Sequence, residues 1–146
     1  MNDKGMLVEI SHFPMPPSAN RLQKSTRSGT RYNTSEYKEF QDECAYWALS
    51  NLPLVTSVKN KIAAMEKHHV LYISTMYYFE RHRILTKSGR PKRNDTANRE
   101  KALHDWVAKV FEFDDCLFWC GSYDKTALHP EDKKEKVKII IRVVEI

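Results

Sequence analysis

Glycine is scarce in this chain. Its four glycines (Gly5, Gly29, Gly89 and Gly121) punctuate a 146-residue sequence that has no internal repeat and no long flexible linker. Cysteine is scarce too, and the count is odd: Cys44, Cys116 and Cys120. Three thiols without regular spacing argue against a disulfide framework and fit a reducing cytosol. No second Cys/His pair stands at ligand spacing, so the sequence offers no zinc centre. The six histidines are scattered and form no constellation. No apolar run approaches the roughly 18 residues that a membrane span needs. The N-terminus lacks a basic stretch followed by an apolar one, so no secretory signal is expected. From Ser18 to Tyr32 there is no acidic residue, while Arg21, Lys24, Arg27 and Arg31 fall inside it.

What is present is charge. Charged residues make up 29% of the chain, and 24 Lys and Arg against 19 Asp and Glu give a net charge of +5 and a pI near 9.1. That balance favours an anionic partner. The hydrophobic fraction of 41% is enough for one packed core, so residues 1–146 read as a single compact domain.

The hydrophobic periods predict the elements. Met6 to Phe13 alternates as a strand and is stopped by Pro14, Pro16 and Pro17. Ser18 to Tyr32 reads as a basic loop. Tyr37, Phe40, Cys44, Trp47 and Ala48 recur at helical period, predicting a helix over Ser35–Leu49 with Asn33 and Glu36 as its cap pair and Pro53 beyond its end. Val58 to Lys67 predicts a short second helix. Val70 to Phe79 is rich in β-branched and aromatic residues and predicts a strand. Arg81 to Asn94 reads as a strand end and a second basic loop, with Arg90, Lys92 and Arg93 among its cations. Thr96 to Phe111 predicts the clearest helix, with Ala102, Leu103, Trp106, Val107 and Val110 as its apolar stripe. Asn98, Lys101 and Asp105 share a neighbouring face. Cys116–Tyr123 and Val137–Ile146 predict two more strands, with Lys125–Lys136 between them. Cys116 and Cys120 are expected as small buried side chains on one strand face, and Trp106 and Trp119 as core. The order implies an α+β or mixed α/β domain, a mixed sheet with two principal helices.

The chemistry concentrates in Arg93-Asn94-Asp95-Thr96-Ala97-Asn98-Arg99-Glu100-Lys101, then Asp105, then Asp114-Asp115. Taken singly, each residue has a plainer role. Asp95 is placed to cap a helix, and Asn98 and Lys101 to face solvent. Asp114-Asp115 suits a polar turn, and Asp105 pairing with Lys101 or Lys109. Their joint occurrence is what marks a site. Glu131-Asp132-Lys133 also carries a Glu-x-Lys pattern, but follows Pro130 in a charged loop.

This set resembles the RusA family of Holliday junction resolvases. The family's Asp-x-Asp-Asn-x-x-Lys motif is matched at Asp95, Asn98 and Lys101, its further helical aspartate at Asp105, and its Asp-Asp pair at Asp114 and Asp115. An early Pro-Pro-Ser-x-Asn-Arg motif is matched by Pro16 to Arg21. Two positions depart, and the first matters more: the family's second aspartate falls on Ala97. The family's arginine just before the first aspartate falls on Asn94, with Arg93 adjacent.

The resemblance implies a RusA-like homodimer that cleaves four-way or other branched DNA, in the cytoplasm of a bacterium or encoded by a bacteriophage. It implies Mg²⁺ as cofactor; with no carboxylate at Ala97, Mn²⁺ is the alternative. Asp95 and Asp115 are the matched metal ligands, and Lys101 is the matched catalytic lysine. Asn98, Asp105 and Asp114 are supporting groups. Mg²⁺ prefers oxygen ligands and needs only one or two carboxylates beside water and phosphate. It lowers the pKa of bound water and screens phosphoryl charge, and a lysine adds to that stabilisation. The two basic loops, through Arg21, Lys24, Arg27, Arg31, Arg90, Lys92 and Arg93, are expected to hold phosphates.

Overall fold

A computed structural model describes residues 2–18 and 22–146. Four strands form one sheet in the order β1-β6-β4-β5: β1 Asn2–Pro14, β4 His69–Phe79, β5 Phe118–Ala127 and β6 Lys136–Glu145. β6 pairs antiparallel with both β1 and β4, whereas β5 runs parallel to β4. The parallel pair requires a crossover, which carries the short helix α3 (Arg81–Ile84) and the longer α4 (Glu100–Val110). Helices α1 (Ser35–Ser50) and α2 (Leu52–Ala63) fill the connection between β1 and β4. The α+β class and the mixed sheet agree with the sequence reading.

The registers show why one sheet face is buried. Opposite pairs Ile73–Ile141, Thr75–Ile139 and Tyr77–Val137 all lie in the core. Their neighbours Tyr72–Arg142, Ser74–Ile140 and Met76–Lys138 point to the other face, where burial is only partial or absent. The helices close the core face through Phe13 against Trp47 (ring centroids 5.2 Å apart), Trp47 against Phe111 (6.2 Å) and Phe40 against Trp106 (6.4 Å). Trp106 also donates Nε1–H to the Tyr37 hydroxyl at 3.1 Å. At Gly121 an added Cβ would lie 2.7 Å from the Ile73 carbonyl oxygen, so only glycine permits this close passage of β5 along β4.

Several local expectations are corrected. The α1 cap is Thr34, whose Oγ1 accepts from Tyr37 N–H at 3.2 Å; Asn33 is instead paired with Gln23. That pairing belongs to a small hairpin, β2 (Gln23–Ser25) with β3 (Arg31–Asn33), inside the stretch read as a loop. Pro53 does not stand between helices: it sits in the first turn of α2, where its missing N–H has no cost. The second helix therefore starts at Leu52 rather than Val58. Cys116 lies in a 3₁₀ turn, Asp115–Leu117, and is exposed, so it shares no strand face with Cys120. Trp119 is exposed rather than core. Arg21 and the Asn20 of the early motif lie outside the described residues.

Candidate active site

Two turns share one design. In Thr26-Arg27-Ser28-Gly29-Thr30, Thr26 N–H donates to Thr30 O at 2.8 Å and Gly29 N–H to Thr26 O at 3.0 Å. In Thr86-Lys87-Ser88-Gly89-Arg90 the same bonds, Thr86 to Arg90 and Gly89 to Thr86, measure 2.8 and 2.9 Å. In both, the threonine Oγ1 meets the serine Oγ, at 2.8 and 3.0 Å, and accepts from the fifth residue's N–H. The glycines take φ of +84° and +83°, a conformation that a side chain resists. Each turn leaves its cations exposed: Arg27, with Lys24 and Arg31 on the flanking strands, and Lys87 with Arg90. Lys92 and Arg93 continue the second surface, although Lys92 Nζ donates to His82 O at 2.8 Å.

Between this basic segment and α4, Ala97–Arg99 forms a 3₁₀ turn. Asp95, Ala97 and Asn98 are exposed and line a recess of about 440 Å³ with Asn94, Tyr123, Asp124 and Lys125. Lys101, Asp105 and Asp115 are not part of its lining. They form a second group. Burial raises the Asp105 carboxyl above its ordinary range, and hydrogen bonding to Asp115 together with that residue's charge raises it further; Lys101 and Lys109 oppose this. Asp114 is occupied differently. Its Oδ1 accepts from Cys116 N–H at 2.9 Å, which lowers its carboxyl and caps the 3₁₀ turn. The turn thus spends one aspartate on the backbone and leaves the other against Asp105.

Helix α4 holds these groups through two charged residues that sequence reasoning did not single out. Glu100 is half-buried. Its Oε1 accepts from the Thr75 hydroxyl at 2.8 Å and from the Tyr77 hydroxyl, and its Oε2 meets His104 Nε2 at 3.1 Å. Burial alone would raise this carboxyl, but the bonds from His104, Tyr77 and Thr75 outweigh it and hold it below its ordinary range. Tyr77 is pushed strongly upward by burial and by the Glu100 charge, so it stays a proton donor. Arg99 is buried, donates Nη1–H to Pro16 O at 2.6 Å and lies 5.2 Å from the Phe79 ring centroid. It ties the early Pro16–Pro17–Ser18 segment to the Asp95–Lys101 segment, and all three early residues line a cleft of about 670 Å³ with it. The available signal was positional. Arg99 and Glu100 precede Leu103 by four and three residues, which puts charges on the helix's apolar stripe.

The histidines give another correction. Glu66, His68 and His69 bring ligand atoms within 4.8 Å of one another, the one such group of three or more among the described residues. The acidic side chains Asp95, Asp105 and Asp115 do not converge to that spacing. Among the described residues, no helix is long and apolar enough to cross a membrane.

The family model for endodeoxyribonuclease RusA matches residues 14–143, a span that includes both sequence motifs and every element from α1 to β5. No curated protein matches the chain. The long match agrees with the shared motifs and their order along the chain. The chain belongs to the RusA family of endodeoxyribonucleases.

Proposed function

We propose that this protein is a metal-dependent, structure-selective endonuclease that resolves four-way DNA junctions as a homodimer. Family membership supports nuclease action on branched DNA. The observation that carries the reading to particular residues is the contact between Asp105 and Asp115, with Lys101 one helical turn from Asp105. Two adjacent carboxylates repel, and a divalent cation would relieve that repulsion. The donors available here and beside Asp95 and Asn98 are all oxygen, which suits Mg²⁺, or Mn²⁺ in its place. Asp95 and Asp115 would hold the ion from the two groups, which do not themselves converge, with water and a substrate phosphate between them and Asn98, Asp105 or Asp114 in support. Bound there, it would supply a more acidic water and screen phosphate charge. Lys101 would stabilise charge on the scissile phosphate.

The basic turns support the DNA-binding part of the proposal. Backbone bonds fix each turn, so its cations meet phosphates from an ordered loop. The partly exposed sheet face supports dimerisation, because Tyr72, Met76, Tyr78 and Ile140 leave apolar surface opposite the core. Two-fold pairing would present two sites to two strands of a junction and leave paired nicks. Ala97 favours a second reading, a junction-binding protein with little or no cleavage, since it contributes no carboxylate to the recess it lines.

A Mg²⁺-titrated nicking assay on a synthetic four-way junction and on matching linear duplex separates these readings. Metal-dependent paired nicks on the junction are expected, lost in Asp95→Asn and in Asp115→Asn with binding retained. Full activity in either variant would remove the assignment. Ala97→Asp should lower the Mg²⁺ requirement if a ligand is missing. Poorer cleavage than an active parent would show that another group already fills the place. Charge reversal at Arg27 or Arg90 should weaken junction binding and reduce its salt slope by about one per lost phosphate contact.

A further inference from the structure

The turn leading into β4 carries Glu66, His68 and His69. His68 Nε2 lies 3.2 Å from Glu66 Oε2 and 3.1 Å from Glu145 Oε1. His69 and Glu145 are partners in the β4–β6 register, so the fourth residue comes from the last strand. We propose that Glu66, His68 and His69, with Glu145 beside them, form a second metal site, one for a borderline transition ion of the zinc class.

Donor chemistry separates this site from the acidic residues of α4 and its flanks. Two imidazoles with carboxylate oxygens suit Zn²⁺, Ni²⁺ or Cu²⁺ far better than Mg²⁺, which prefers oxygen alone. The spacing is also close to what such an ion needs. Tetrahedral bonds of about 2.0–2.2 Å put ligand atoms roughly 3.3–3.6 Å apart. The His68 contacts are already at this distance, and all three ligand atoms of the turn lie within 4.8 Å.

The backbone beneath the site is held in place. His69 N–H donates to Glu66 O at 3.0 Å, closing the turn, and Ile146 N–H donates to His68 O at 3.1 Å. Binding therefore does not have to order a loop. Two interactions compete. Glu66 N–H reaches His69 Nδ1 in a long contact of 3.4 Å, which an ion taking that nitrogen would displace. Lys4 Nζ lies 2.7 Å from Glu145 Oε2, leaving Oε1 as the oxygen turned to His68. An ion here would join the turn before the central strand to the end of β6, and so stabilise the fold by binding only its native state.

The test uses the full chain, with Zn²⁺ or Co²⁺ added alone as probe and excess Mg²⁺ present to occupy the acidic residues. One Zn²⁺ per chain is expected by equilibrium dialysis. The melting temperature should rise by about 5 °C or more at a hundredfold excess over Kd. Co²⁺ should give visible absorption of a nitrogen–oxygen site without a thiolate charge-transfer band, which excludes the cysteines. His68→Gln/His69→Gln should lose the spectrum and the thermal shift while Mg²⁺-dependent nicking persists. Glu66→Gln, a milder change, should weaken zinc at least tenfold. Asp95→Asn and Asp115→Asn should leave zinc binding intact. Absence of zinc binding, equal affinity in the histidine variant, or loss of binding in Asp115→Asn would overturn the proposal. Because the nicking and zinc measurements use different residues, failure of one leaves the other standing.

Discussion

Glu100 and Asp105 are five residues apart on one helix, yet their surroundings push their carboxyls in opposite directions. Glu100 is the more buried, and burial by itself would disfavour its charge. Three donors reverse that balance: Thr75, Tyr77 and His104. Asp105 has no such set; its close neighbour is another carboxylate, Asp115. Burial is the largest influence on both carboxyls, and what reverses it at Glu100 is the set of donors facing that residue, which Asp105 lacks. The satisfied one anchors α4 to β4. The unsatisfied one keeps a demand for positive charge at the surface, which is where a metal-dependent reaction would use it.

The comparison breaks most visibly at Glu100. Glu100→Ala should cost about 3 kcal/mol, since it strands the buried hydroxyls of Thr75 and Tyr77 together with a half-buried histidine. Urea denaturation measures this, and a loss below about 0.5 kcal/mol would mean that the network anchors nothing. The pH dependence has a fixed sign. The folded carboxyl is depressed, so its contribution is present above the ordinary carboxylate range and disappears as pH falls through the folded value. Glu100→Gln should therefore differ most from the parent near neutrality and converge on it in acid.

Adding Mg²⁺ sharpens the contrast at the other end of the helix. Saturating Mg²⁺ should raise the melting temperature by a few degrees, on the order of 1–2 kcal/mol of linkage at tenfold excess over Kd. The rise should shrink in Asp115→Asn and be retained in Glu100→Gln. A rise that survives in Asp115→Asn would place the ion elsewhere.

Asp105→Asn is the smallest effect and the one of opposite sign. Without metal it should stabilise the protein near neutrality, by less than about 1 kcal/mol because the pair is largely solvated. The folded carboxyl is raised, so the penalty grows as pH climbs from the ordinary carboxylate range through the folded value. The gain should then vanish at a pH below that range. Destabilisation near neutrality would show that Asp105 is a satisfied structural partner like Glu100.

Period and composition by themselves determined the main elements: the strands at Met6–Phe13, Val70–Phe79 and Val137–Ile146, the helix at Ser35–Leu49, and the helix expected over Thr96–Phe111, whose first turn is instead 3₁₀ and whose α-helix begins at Glu100. Buried faces repeat at 2.0 or 3.6 residues, and that repeat is written in the chain. The motif order also made the family legible, because Asp95, Asn98, Lys101 and Asp115 keep their spacing whatever surrounds them. Tertiary structure decided what depends on residues distant in sequence. Arg99 reaches Pro16, and Glu100 meets Thr75 and Tyr77. His68 finds Glu145 across two strands' ends, and Asp115 turns to Asp105. No local pattern encodes these pairings. At Arg99 and Glu100, packing the helix on the sheet buries a charge, and a buried charge is stable only beside the donors that the fold brings to it.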